Sequence, residues 1–340
     1  MVTLVVLSNA QQGSSSSHSR SIPRAVFGLP AYNHAHKLRQ SLESLLNQTE
    51  RNFRLVVSDD CSTDETPAIL EEYAGRDHRI IHTRGPRRLG YIGNARRCFE
   101  LAREHYPSAE YFAWASDHDV WHPRWLEVLA LALDENPGAA IACPNVYRID
   151  ADGEILSAKP ARCTTLGEPL SVGRFARTFA EIAPGDMIYG LMRANILEKA
   201  GVLPWHLMPD RLILMLLSLY GSILSVPEFL WYRRYRRLAS LKRQMQASFS
   251  DEVPAYLHFP WWMTHAAHFF IKFVVRRTPM QPVGRLSGAG YSLLYALLGA
   301  QYGCVRRFVH PLKRRLRSSA PMSYEFLKTK YKRAQKPARL

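Results

Sequence analysis

The chain has 340 residues, enough for one large domain or two ordinary ones. Its 47% apolar content is ordinary for a globular protein, which excludes a chain too polar to bury a core. A formal charge of +16, from 45 Lys and Arg against 29 Asp and Glu, points to an anionic partner: nucleic acid, a membrane surface or a phosphorylated ligand.

The opening MVTLVVLSNAQQGSSSSHSRSIP has a short apolar run without a basic leader, so no signal peptide is read. Residues 1–23 are expected to be a flexible, Ser-rich leader. From Arg24 to about Asn145 two periodicities alternate. RAVFGLPAYN is a short apolar run ending in a turn, and HKLRQSLESLLNQ puts Leu38, Leu42, Leu45 and Leu46 on one helical face. FRLVVSDD reads as a strand. CSTDETPAILEEYAG reads as a helix, with Ser62 and Glu65 at capping-box spacing and Pro67 in the first turn. RIIHTR, YFAWAS and AAIACPNVYRI are further strands, separated by helices over GNARRCFELAREHY and PRWLEVLALALDEN. This alternation predicts an α/β fold, a mostly parallel sheet with helices on both faces.

After residue 150 the alternation weakens. DADGEI reads as a hairpin turn, and residues 160–186 as loop and a short helix. IYGLMRANILEKAG and MPDRLILMLLSLYG are predicted helices, the second starting at Pro209 or Asp210, and ILSVPEFLWYRRY is a predicted strand.

Ligands on such sheets bind beyond the carboxyl ends of the strands. Pro30 to Asn33, Asp59 and Asp60, then Arg84, Arg87 and Arg88, and finally Asp117 to Asp119 follow the first four strands in turn. All four sets gather along one edge. Carboxylates on two strand ends and arginines on another make a site for a metal-bound diphosphate. Helix capping and solvated loops explain each set alone but not the convergence.

With these motifs in this order, residues 24–240 resemble a family 2 glycosyltransferase of the GT-A type. LPAYNHAHKLRQSLESLLNQT resembles its opening strand, Tyr-Asn turn and first helix. FRLVVSDDCSTDET resembles its Asp-Asp-x-Ser-Thr-Asp signature, and SDHDVWHPRWLE its metal-binding acidic motif. The resemblance implies a Rossmann-like GT-A sheet, with residues 24–150 as the nucleotide-binding half and 151–240 as the acceptor half. It implies an inverting enzyme, a nucleotide-sugar donor (a UDP-sugar favoured) and Mg2+ or Mn2+. By the match, Pro30, Tyr32 and Asp60 line the base and ribose pocket with Asp59 beside them. Asn33 and Arg88, on the same edge, complete the donor-binding set.

One motif departs from the family. Its common form has an acid, a spacer and two consecutive acids, whereas this chain has Ser116, Asp117, His118 and Asp119. Aligned on Trp121 and Pro123, His118 falls where a metal-ligating Asp stands. Either His118 is itself a ligand, or Asp117 and Asp119 form a shifted Asp-x-Asp pair. The assignment adopted puts Asp119 and His118 on the metal and Asp117 on the ribose. For the base that deprotonates the acceptor, the resemblance implies Asp210, at Pro209-Asp210 where the family often has Glu-Asp. Helix capping is its bland role, and Asp186 is the fallback base. Tyr189, Trp205 and His206 fall in the acceptor region.

Residues 245–340 are expected to form a basic, aromatic-rich helical extension on an anionic membrane surface. Within it, residues 286–305 are uncharged over about a membrane-spanning length but diluted by Gly, Ser and Gln. The five cysteines are scattered, without CxxC or zinc spacing, as expected of reduced thiols in the cytoplasm. The whole reads as a cytoplasmic transferase, peripheral at the inner face of the cell membrane. Its acceptor would be a glycan or lipid-linked species of cell-envelope or extracellular polysaccharide synthesis. The alternatives are a non-catalytic GT-A-like protein and a basic nucleic-acid binder. The latter explains the charge but not the acidic cluster, and no RRM, KH or zinc-finger pattern is present, so no nucleic-acid partner is expected.

Overall fold

The computed structural model describes residues 22–161, 163–182, 185–234, 241–249, 253–276, 278 and 281–304. Nearly all of the Ser-rich leader and the basic run after residue 304 lie outside the described residues.

The first strand, β1 (Ala25–Ala31), is the centre of a parallel half-sheet, and its Ala25, Val26, Phe27, Leu29 and Ala31 are at most 1% exposed. A strand buried on both faces needs a continuous apolar run and a partner on each side. Helix α1 (Ala35–Leu46) buries Leu38, Leu42, Leu45 and Leu46 beneath it, as its periodicity predicts. Strand β2 (Phe53–Asp59) pairs parallel with β1, Ala31 opposite Asp59. Helix α2 (Thr66–Arg76) follows, but without the predicted capping box. Ser62 Oγ is occupied elsewhere, accepting the Asn33 N–H at 3.0 Å, and Asp64 Oδ1 accepts Thr66 N–H at 3.0 Å instead.

Strand β3 (Ile80–Arg84) pairs with β2, Asp59 opposite Arg84. Helix α3 (Gly90–His105) leads to β4 (Tyr111–Trp114), parallel to β1 on its other side. The close approach of α3 and β4 requires Gly28: a Cβ there would lie 2.6 Å from the Phe112 ring and 2.9 Å from Cys98 Cβ.

The second half is mixed. After the short β5 (Val120–Trp121) and helix α4 (Trp125–Glu135), β6 (Ala139–Ile149) forms a hairpin with β7 (Ile155–Lys159). Asp150 Oδ1 makes the turn, accepting the N–H groups of Asp152, Gly153 and Glu154, each at 2.9 Å. Helix α5 (Ser171–Glu181) follows. The predicted helix over IYGLMRANILEKAG is only half correct. Met187–Tyr189 is a 3-10 turn and Leu191–Arg193 is a strand, β8; only α6 (Ala194–Ala200) is α-helical. β8 fills the gap between β4 and β6, antiparallel to both, which residue-by-residue periodicity does not reveal. Helix α7 (Pro209–Tyr220) is fully buried from Leu212 to Leu217, so it is apolar all round. Strand β9 (Ser222–Arg234) pairs parallel with β6 and antiparallel with β5. The sheet order is β3-β2-β1-β4-β8-β6-β9-β5, with β7 on β6.

Beyond the sheet come α8 (Leu241–Phe249), α9 (Trp261–Phe270), a π turn (Ile271–Val275) and α10 (Arg285–Cys304). Phe269, Phe273 and Tyr295 are fully buried in the same core as α5 and α7. Phe269 meets Phe175 at 5.5 Å between ring centroids, and Tyr295 meets Phe179 at 5.4 Å. These helices are thus built into the domain. Among the described residues no helix is long and apolar enough to cross a membrane.

Candidate functional site

The turns after β1 and β2 lock together. Asn33 adopts φ +52°, Cys61 φ +62°. Asn33 Oδ1 accepts Thr63 N–H at 2.8 Å, and Asp64 Oδ2 accepts Ala35 N–H at 3.0 Å. Ser62, Thr63 and Asp64 of the acidic signature therefore brace the neighbouring turn. Asp59 accepts Ser62 N–H on Oδ1 at 3.0 Å, while its Oδ2 is buried without a hydrogen bond, 3.5 Å from Arg84 Nε. Asp60 takes the N–H groups of Leu89 (2.6 Å) and Gly90 (2.9 Å), so it caps α3, not α2. Burial raises its carboxyl pKa against those bonds. The Arg88 guanidinium lies 4.1 Å from the centroid of the Tyr32 ring and 3.8 Å from Asp60, making a flat, cationic plate beside Pro30. Arg87 is exposed.

Asp117 is the hub of the loop after β4. Its Oδ2 accepts Tyr32 N–H at 3.0 Å; its Oδ1 receives His34 Nδ1 at 2.8 Å and His118 Nδ1 at 2.7 Å. Burial alone would raise this carboxyl, but the two imidazole hydrogen bonds outweigh it and hold it well below the usual carboxylate range. An ionised Asp117 can only accept, so both Nδ1 atoms carry protons. A histidine that donates Nδ1–H to a carboxylate is the arrangement seen at metal centres, where the carboxylate fixes the ring's tautomer. His34, Asp117 and His118 each offer a potential metal-ligand atom, and these atoms lie within 4.8 Å of one another. Asp119 is 2% exposed, its Oδ1 3.9 Å from His118 Nε2. This mixed nitrogen and oxygen donor set suits a divalent ion that accepts imidazole, Mn2+ before Mg2+.

The end of β9 ties this loop to the second half. Arg234 N–H donates to Asp119 Oδ1 at 2.8 Å, and its guanidinium reaches His118 O and Gln40. Arg233 pairs with Asp186, which Arg148 also approaches at 3.5 Å. Asp210 sits in the first turn of α7, its carboxyl pKa raised by burial. Gly185, at φ +80°, leaves the room: a Cβ there would lie 3.3 Å from Arg233 and 3.7 Å from Asp210 Oδ2. The Tyr91 and Tyr189 hydroxyls lie 3.4 Å apart. Burial pushes Tyr189 up to about 12, and it also senses Asp119 and Asp117, whereas Tyr91 senses Asp210.

The sequence-predicted residues are thus gathered at one sheet edge, except that Trp205 and His206 face α8 and α9. His34, Tyr91 and Arg233 were missed. His34 directly follows the Tyr-Asn turn, but that position alone does not mark it.

The sequence model described as glycosyl transferase family 2 matches residues 27–198, just over half the chain. The chain belongs to glycosyl transferase family 2. An uncharacterized glycosyltransferase of Methanocaldococcus jannaschii is 30% identical over 130 residues, 38% of this chain and 43% of the relative. Glycosyltransferase AglD of Haloferax volcanii is 39% identical over 82 residues, 22% of this chain and 13% of that protein. The chain therefore matches less than half the length of these curated relatives. Among solved structures, S. aureus TarS 1-349 in complex with UDP-GlcNAc superimposes with a TM-score of 0.55 at 16% identity, covering 80% of this chain and 70% of TarS 1-349. That likeness carries the fold: this family 2 member has the GT-A architecture.

Proposed function

We propose that this protein is a metal-dependent, inverting glycosyltransferase acting on a nucleoside-diphosphate sugar. What carries the reading is Asp210, a half-buried carboxylate with raised proton affinity in the first turn of α7, close enough for Tyr91 of the tyrosine pair to sense its charge. A general base needs such poise near neutral pH.

In this reading the Tyr32–Arg88 plate takes the base, with Pro30 and Asn33 forming the turn around it. The Asp59 oxygen that takes no hydrogen bond, beside the Arg84 guanidinium, accepts a base N–H or ribose hydroxyl. Asp60, its oxygens committed to backbone, shapes the pocket through α3. A UDP-sugar is favoured, supported by UDP-GlcNAc in the fold neighbour. His118 and Asp119, with His34 added, would hold the divalent ion, and Asp117 would orient both imidazoles. When bound, the ion neutralises charge on the departing diphosphate. Asp210 removes the acceptor hydroxyl proton as that oxygen bonds to the anomeric carbon. The anomeric bond to the β-phosphate oxygen breaks, and its electron pair leaves with the diphosphate. Arg233, held by Asp186, adds positive potential on the same side.

The acceptor is a glycan or lipid-linked species of cell-envelope polysaccharide synthesis, met at the inner face of the membrane. Supporting that placement are the +16 charge and an exposed stripe on α10 of Leu286, Leu293 and Leu297. The two-part division at residue 150 remains our proposal for donor and acceptor halves.

The Asp210→Asn variant tests the assignment. Turnover should fall about 10²–10⁴-fold while UDP affinity, measured by calorimetry with Mn2+, stays within about twofold. Near-full turnover would remove Asp210 from this role. A panel of nucleotide sugars scored for metal-dependent thermal stabilisation identifies the donor, because a ligand of the native state raises the melting point.

A further inference from the structure

A cavity of about 880 Å³ lies between α6 and the α9–π-turn arm, and none of its lining residues belongs to the strand-end site. Its size is within the range of small-molecule sites, roughly 300–1,000 Å³. One wall is apolar and open to solvent: Phe259, Met263 and Ile271 remain 59, 42 and 45% exposed. Lys199, Lys272 and Arg276 line it too, and among the described residues no lining residue is acidic.

Lys272 is the telling member. It is half-buried, and its Nζ donates to Lys199 O at 3.0 Å. Among the described residues it has no carboxylate partner. Cations withdrawn from water are ordinarily paired, so this half-buried ammonium, held only by a carbonyl, leaves a place for an anion. On the same wall His206 Nδ1 is buried without a hydrogen-bond partner, while Nε2 meets His268 Nδ1 at 3.2 Å. Apolar wall, cationic mouth and unsatisfied polar atom together describe a receptor for an amphiphile with a negative head.

We propose that this cavity seats a single anionic phospholipid, its acyl chain against Phe259, Met263 and Ile271 and its phosphate between Lys272 and Arg276. Lys199 adds positive potential at the mouth. The proposal takes its partner from the membrane-surface reading above, but assigns the contact to a defined pocket. It is independent of the donor site.

The test uses the full chain and dioctanoyl phosphatidylglycerol below its micellar concentration, followed by calorimetry. Phosphatidylglycerol should bind at least tenfold tighter than dioctanoyl phosphatidylcholine, and inorganic phosphate should not compete at millimolar concentration. Lys272→Met should weaken the lipid about tenfold. Ala267→Trp, at an exposed helical position on the cavity wall, should block it while UDP binding and melting temperature stay as in the wild type. Equal binding of both lipids, or phosphate competing as well as lipid, overturns the proposal. So does wild-type lipid affinity in both variants. Flotation with phosphatidylglycerol vesicles separates the two ideas. Vesicle binding without monomeric lipid binding sinks the cavity and leaves the surface reading standing. Loss of vesicle binding in both variants ties the surface to the cavity.

Discussion

At the scale of single residues, Asp117 organises more than it contacts. One carboxylate fixes the turn after β1 through Tyr32 N–H and orients two imidazoles, His34 and His118. Removing one imidazole should therefore damage ion binding without unfolding the chain. His34→Ala is expected to weaken Mn2+ about tenfold, within the range for groups around a metal centre, roughly 10–100-fold. Free Mn2+ measured by electron paramagnetic resonance reads this directly, with UDP present and absent. Unchanged Mn2+ affinity would mean that His34 is only a turn residue. The acidic signatures were legible because carboxylates at strand ends are costly without a purpose. His34 was not, since a single histidine after a turn has no spacing that marks it. Ser62 misled for a related reason: its hydroxyl could cap α2 or brace the β1 turn, and only the folded chain shows which partner is nearer.

Among the elements, α9 carries an unusual load of histidine. His265 is fully buried, Nδ1 against Tyr295 OH and Nε2 against Leu207 O, each at 2.7 Å. Burial lowers His206 to about 4 and His268 to about 3, and takes His265 well below its ordinary value. Arg211 and Lys272, facing the same cluster, push in the same direction. The unfolded chain binds protons at these imidazoles near pH 6.5, as free histidine does at about that pH, but the folded chain does not. Their contribution to stability is thus complete above about pH 6.5 and is lost as pH falls from there toward 4. The slope is at most about 1.4 kcal/mol per pH unit for each histidine. Urea midpoints at pH 7.5, 6 and 5 should fall accordingly, and His268→Gln should flatten the decline by about one histidine's share. An unflattened curve would place His268 outside this linkage. The same scale shows where sequence periodicity failed. β8 is three residues long and exists because β4 and β6 leave a gap between them. No local pattern encodes a vacancy made by segments 50 and 80 residues away in the chain, to the nearest ten.

For the molecule as a whole, the first half was readable because βα repeats pair neighbours in sequence. The second half joins strands across long separations, and the C-terminal helices complete a core begun in α5 and α7. Reading those helices as an appended extension captured their charge but not their packing. A chain ending at residue 240 would leave Phe175 and Phe179 without Phe269 and Tyr295. Losing several buried aromatic contacts, each truncation worth about 3–5 kcal/mol, exceeds what a domain of ordinary stability retains. The truncated chain should show no cooperative thermal transition and should collect in the insoluble fraction; a soluble product with a sharp transition would show the helices to be separable. Membrane tests are accordingly best made with point variants.

The tip of β9 has a mechanical consequence. Successive residues of an extended strand face opposite ways, yet Arg233 grips Asp186 while the very next backbone amide grips Asp119. Both carboxylates are gauged from one stiff ruler, so neither can drift without dragging its counterpart. The gap between them is referred to a single strand end, whatever the length of the loops on either bank.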